Sequence, residues 1–150
     1  MNNKENNNFT LDLLSMTVIL LVILSLSMVT MANTVSSNLL SAICMVESNC
    51  EEDAVGDNGN AIGPYQIWEI YWKDAVEFNP SLRKNHTYED CTNKEYAEQI
   101  VLAYWQRYAT EKRIGRPVTN EDRARIHNGG PNGYKKKATL KYWKKVQKEL

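Results

Sequence analysis

The chain has 150 residues, room for one domain, and balances 18 basic against 18 acidic side chains. No nucleic-acid reading motif accompanies the basic residues, so nucleic acid is not an expected partner. Three cysteines (Cys44, Cys50, Cys91) and two histidines (His86, His127) show no metal-ligand spacing, so neither a metal nor another cofactor is expected.

From Leu13 to Ala32 there is no charged residue, and Leu, Ile, Val and Met dominate. Thr30 and Ala32 place small side chains three before and immediately before a cut after Ala32, so residues 1–32 are expected to be a signal peptide. At about 20 residues the apolar run is also long enough to serve as an uncleaved anchor. Either way, residues 33–150 form the expected domain and face a non-cytosolic space. Without Lys4, Glu5 and Asp12 that part carries 17 basic and 16 acidic side chains, a net charge near +1. Acids crowd Glu47 to Asp57. Lys135, Lys136, Lys137, Lys141, Lys144, Lys145 and Lys148 crowd the end, a solvated face or an attractor of anionic polymer.

Ser36 or Ser37 caps a helix expected over residues 38–48, with Leu40, Ile43, Cys44 and Glu47 on one face. Glu47 therefore ends an apolar stripe, whereas Glu51, Glu52 and Asp53 lie beyond it in polar company. A carboxyl placed against apolar surface is desolvated, which favours the protonated state that a general acid needs. The stretch Val55–Ile62 holds an Asn58-Gly59 pair suited to a tight hairpin turn, with Asp57 just before it. Gly63-Pro64 then opens a helix with Ile67, Ile70, Tyr71 and Ala75 on one side, closed by Asn79-Pro80. Asn85-His86-Thr87 is a glycosylation sequon. The longest helix is expected over residues 93–110, with Thr92 and Glu95 as its capping box. After Gly115 and Pro117, Thr119 and Asp122 open a short helix through Arg125, and residues 127–133 read as a glycine-rich turn. A last helix from about Ala138 buries Leu140, Trp143 and Val146. The plan is α+β: mostly helical, with one small β-hairpin.

A Glu at a helix end and an Asp at a hairpin turn, brought together by a chain reversal, suit glycoside hydrolysis. Ten residues separate Glu47 from Asp57, and spacing alone is also that of a solvated acidic turn. Three blocks add specificity: Ile43-Cys-Met-Val-Glu-Ser-Asn-Cys50, Gly63-Pro-Tyr-Gln-Ile67 followed by Tyr71-Trp72, and Ala124-Arg-Ile-His-Asn-Gly-Gly-Pro-Asn-Gly133. Together, and with Tyr142-Trp143, they resemble the invertebrate-type (destabilase) lysozymes over residues 38–146.

The resemblance implies a lysozyme-like domain that cuts the β-1,4 bond between N-acetylmuramic acid and N-acetylglucosamine in bacterial peptidoglycan. It implies Glu47 as general acid, Asp57 as nucleophile or stabiliser with Asp53 as the fallback, and retention through carboxyls about 5–5.5 Å apart. Tyr65, Gln66, Ile67, His127 and Asn128 are the implied substrate contacts, beside the alternatives of core residues and backbone caps. A secreted monomer is expected, with a defensive or digestive role and no stable membrane insertion if the signal is cleaved. Two other functions stay open: an isopeptidase with Ser48 as nucleophile and His127 as base, and a glycan-binding protein without turnover.

The chain departs from the family in its few cysteines, with Ile62, Ala75 and Tyr134 where Cys is common. Trp68, Trp72, Tyr104, Trp105, Tyr108, Tyr142 and Trp143 are expected to replace disulfides by packing. One bridge and one free thiol are expected, with Cys44–Cys50 and Cys50–Cys91 as competitors. The first requires the helix to end near Ser48.

Overall fold

In a computed structural model of the chain, Met16, residues 18–20 and residues 37–150 are described. Most of the expected signal peptide or anchor, residues 1–32, lies outside the described residues. Among the described residues no helix is long and apolar enough to cross a membrane.

The first helix, α1 (residues 37–48), buries Leu39, Leu40, Ala42, Ile43 and Cys44 along one face. It ends because Asn49 and Cys50 adopt φ values of 54° and 63°. The Cys50 N–H then bonds back to the Cys44 carbonyl at 3.2 Å, a Schellman-type reversal. That reversal brings the two Cα atoms to 4.8 Å, and Cys44–Cys50 is the disulfide; Cys91 is a buried free thiol.

Three two-residue strands follow: β1 (Val55–Gly56), β2 (Ala61–Ile62) and β3 (Ile67–Trp68). They form an antiparallel sheet in that order, pairing Val55 with Ile62 and Ile62 with Ile67. The sheet thus exceeds the expected hairpin by one strand. Asp57, Asn58 and Gly59 all take positive φ in the β1–β2 turn, conformations that Asp, Asn and Gly tolerate best. Residues 63–66 form a turn, so Pro64 does not start a helix. Gln66 at φ 46° interrupts any helical path there. A Cβ on Gly63 would sit 2.0 Å from the Cys91 carbonyl oxygen, so this turn needs glycine to pack against that backbone.

Helix α2 (Glu69–Phe78) buries Tyr71, Trp72, Ala75 and Val76, while Ile70, expected on the buried side, is 65% exposed. Helix α3 (Lys94–Tyr108) runs through the core with Tyr96, Ala97, Ile100, Val101, Ala103, Tyr104 and Trp105 buried. Its cap is Asn93, whose side chain accepts from the Tyr96 N–H at 2.9 Å. Thr92, the expected cap, instead donates its hydroxyl to the Glu89 carbonyl. A short α4 (Glu111–Ile114) stops at Gly115.

Helix α5 (Asn120–Gly129) opens with the expected Thr119–Asp122 capping box but continues four residues beyond Arg125. His127 and Asn128 therefore sit in its last turn and not in a loop. The final helix α6 (Leu140–Val146) buries Tyr142 and Val146; Leu140 is exposed, contrary to expectation, and Trp143 is half-buried. Of the aromatic residues expected to replace disulfides, Trp72, Tyr104, Trp105 and Tyr142 are buried, Tyr108 and Trp143 pack partly against the core, and Trp68 is exposed. The Trp72 indole donates to the Tyr96 hydroxyl at 2.8 Å, and Tyr71 stacks on Tyr104 at 3.6 Å.

Candidate active site

A cleft of about 310 Å³ opens where the end of α1, the sheet, α2 and the end of α5 converge. Glu47 reaches it from the last turn of α1, and Asp57 reaches it from the β1–β2 turn. The chain reversal that sequence spacing demanded is thus present, and it is built from the Cys44–Cys50 corner and the hairpin together. Asp53 lines a separate shallow hollow with Glu52, Thr92 and Asn93, which removes it as the partner of Glu47.

Glu47 is held mainly from behind. Its side chain is 18% exposed, and its Oε1 lies 3.5 Å from His127 Nε2. His127 is buried, with Nε2 3.2 Å from the Tyr65 carbonyl and Nδ1 3.2 Å from the Tyr71 hydroxyl. A carbonyl can only accept, so Nε2 carries the hydrogen; in the neutral ring Nδ1 then accepts from Tyr71. Burial, then Tyr104 and the Glu47 carboxyl, hold Tyr71 ionisation well above the ordinary phenol range, so its hydroxyl remains a donor. Tyr142 is held up in the same way by burial and then by Glu47 beside it. Its hydroxyl makes no well-shaped hydrogen bond among the described residues. Tyr71, His127 and Tyr142 thus surround Glu47 on its protein side.

Asp57 is exposed, and its Oδ2 accepts from the Trp68 indole N–H at 3.1 Å. A third carboxylate, Asp74, also lines the cleft, but Arg107 approaches it at 3.9 Å and donates to its backbone carbonyl at 2.6 Å. Among the described residues, no group of three His, Cys, Asp or Glu side chains is arranged to hold a metal ion.

Of the implied substrate contacts, His127, Asn128 and Gln66 line the cleft. Gln66 spends its amide on the Gly63 and Ala54 carbonyls, at 2.9 and 3.3 Å, and so braces the turn. Tyr65 and Ile67 do not line the cleft: both side chains are fully buried. The Tyr65 hydroxyl donates to Glu98 at 2.9 Å, and only its backbone carbonyl serves the site, through His127. Ser48 donates to the Pro64 carbonyl at 3.0 Å and is no hydrogen-bond partner of His127, so the isopeptidase pair is not assembled. Trp68, Ile70, Asp74 and Tyr104 also line the cleft and were not foreseen as site residues. The in–out alternation of Ile67 and Trp68 is the signal that could have exposed Trp68.

A half-buried Glu at a helix end and an exposed Asp on a hairpin thus share one cleft, a pairing of carboxylates compatible with glycoside hydrolysis. The Destabilase family model matches residues 36–149, which include all three motif blocks. A lysozyme of Meretrix lusoria is 40% identical over 119 residues, covering 76% of this chain and 89% of that protein. A lysozyme of Magallana gigas is 38% identical over 122 residues, covering 77% and 81%. The solved structure of inhibitor-bound Meretrix lusoria lysozyme superposes with a TM-score of 0.63 at 38% identity, covering 74% of this chain and 87% of that one. Tapes japonica lysozyme gives 0.62 at 32% identity over the same shares. The chain belongs to the destabilase family of invertebrate-type lysozymes.

Proposed function

We propose that this protein hydrolyses the β-1,4 bond between N-acetylmuramic acid and N-acetylglucosamine in bacterial peptidoglycan, with Glu47 as general acid and Asp57 as the second carboxylate. The observation that carries the reading is the meeting of Glu47 and Asp57 in one cleft, on a chain whose relatives are lysozymes. Glu47 gives its proton to the glycosidic oxygen as the C–O bond breaks. The Asp57 carboxylate attacks or stabilises the anomeric carbon, and a water that yields a proton to Glu47 completes hydrolysis. His127 supports Glu47 from the protein side, and Asn128, exposed in the cleft, offers an amide to sugar hydroxyls or acetamides. The protein works as a secreted monomer, in a space where the Cys44–Cys50 bridge persists.

The test is release of reducing ends from purified peptidoglycan by the wild type and by Glu47→Gln. The replacement keeps size and polarity but cannot donate a carboxylic proton. Activity is expected to fall by about 10²–10⁴-fold. Equal rates for both proteins refute the assignment of the acid. A folded wild type that binds peptidoglycan without releasing ends points to a glycan-binding protein.

A further inference from the structure

We infer that Trp68 does two things in this cleft: its indole N–H positions Asp57, and its open ring face is a stacking platform for one sugar of the bound glycan. The first half rests on Asp57 being the second carboxylate; the second half does not.

Trp68 points outward because β3 alternates. Ile67 goes into the core at 1% exposure, and Trp68 stays 44% exposed. Its cross-strand partner is Ala61, whose methyl leaves room for an indole on that side of the sheet. The ring therefore extends toward the β1–β2 turn, and its N–H reaches Asp57 Oδ2 at 3.1 Å. Asp57 sits on an exposed turn of left-handed residues, and among the described residues no other side chain bonds its carboxylate. Without a donor such a carboxylate samples several rotamers. The indole is donor-only, so it engages one oxygen and leaves the other to face an anomeric carbon. Catalysis by a positioned group falls steeply when that group is free to rotate.

The ring face has a separate use. A large aromatic surface left open inside a cleft, next to the 65% exposed Ile70 and close to carboxylates, is an apolar wall edged by acceptors. A pyranose has the matching form: an apolar face of C–H groups and a rim of hydroxyls. Apolar walls with a few placed polar groups are what small-ligand sites share.

The two roles separate by substitution in the full-length protein. Trp68→Phe keeps a ring and removes the donor; Trp68→Gln keeps an N–H donor and removes the ring. Binding is measured with the β-1,4-linked trimer of N-acetylglucosamine, by calorimetry and by tryptophan fluorescence, and turnover is measured on peptidoglycan. Circular dichroism confirms that both variants are folded. For Trp68→Phe, trimer affinity is expected to stay within about threefold of wild type while kcat falls about tenfold. For Trp68→Gln, affinity is expected to fall about tenfold or more, with kcat closer to wild type than in Trp68→Phe. An unchanged kcat in Trp68→Phe overturns the positioning role, and unchanged affinity in Trp68→Gln overturns the platform. If the wild type itself does not hydrolyse peptidoglycan, the proposed function fails and the positioning role with it, while trimer binding still decides the platform.

Discussion

Asp122 anchors the helix that carries His127 and Asn128, and its replacement by Asn is expected to lower stability in a pH-dependent way. The side chain is 1% exposed. Its two oxygens accept from Arg116 Nη1 and Nη2 at 2.7 and 2.8 Å, and Oδ2 also accepts from the Thr119 N–H at 2.9 Å and the Thr119 hydroxyl at 2.8 Å. Burial by itself raises the pKa of this carboxyl, but the hydrogen bonds from Arg116 and Thr119 outweigh it and hold the group below the ordinary carboxylate range. Asp122→Asn keeps the shape, loses one Arg116 bond outright and turns the two Thr119 bonds from charge-assisted into neutral ones, each weaker by about 1 kcal/mol. Arg116 is 53% exposed and rehydrates, so the ion pair itself adds little. The expected loss is about 2–3 kcal/mol, or roughly 10 °C in Tm for a domain of this size. A group with a depressed folded-state pKa stabilises above its unfolded-state pKa, about 3.9, and loses that contribution as pH falls through the folded-state value. The gap in Tm between wild type and Asp122→Asn should therefore be full at pH 6–7 and should close below about pH 4. Thermal melts followed by circular dichroism across that range measure it. No gap at neutral pH, or one that persists undiminished at low pH, would falsify the reasoning.

Three further outcomes concern the cysteines and the lysines. Removing the bridge with Cys44→Ser and Cys50→Ser is expected to destabilise the protein by about 2 kcal/mol, the chain-entropy value for so short a loop. Cys91, pushed up to about 12 by burial and then by Asp90 and Glu89, should react with a thiol reagent only after unfolding; a native protein with a reactive thiol, or a peptide map linking Cys91 to Cys50, contradicts this pairing. Lys141, Lys144, Lys145 and Lys148 follow i, i+3, i+4, i+7 spacing, all are exposed, and none joins an ion pair among the described residues. Changing all four to Gln should weaken binding to insoluble bacterial wall several-fold at low salt and flatten its salt dependence, while cleavage of a short soluble glycan is unchanged. An unaltered salt slope assigns this stripe to solvation alone.

What could be read from the sequence divides by the range over which each feature is determined. Glu47 was legible because its constraints are local: a 3.6-residue period places it under Leu40, Ile43 and Cys44, and two residues of positive φ end the helix just past it. Asn58-Gly59 announced the reversal at Asp57 for the same reason. The β3 strand was missed because Ile67, Ile70, Tyr71 and Ala75 satisfy a helical period by coincidence. Ile67 is buried by sheet pairing, and Ile70 is not buried at all. The seven residues after His127 hold three glycines and a proline, a loop pattern, yet α5, capped at its start by Thr119 and Asp122, runs past Arg125 to Gly129.

The same division separates the proposed reacting groups of the site from the side chains around them. Glu47 announces itself by motif and Asp57 by the Asn58-Gly59 turn beside it, while the groups that touch them belong to other elements. Trp68 comes to Asp57 through strand register, eleven residues on, and Tyr71 comes to His127 across fifty-six. A donor brought from that distance leaves no local pattern, since Trp68 and Tyr71 read equally well as core aromatics until the sheet and α5 are in place. On the proposed assignment, Glu47 and Asp57 therefore depend on residues whose role only the folded chain reveals. It follows that substitutions at Trp68 or Tyr71 should alter rate more than their distance in sequence from either carboxylate suggests.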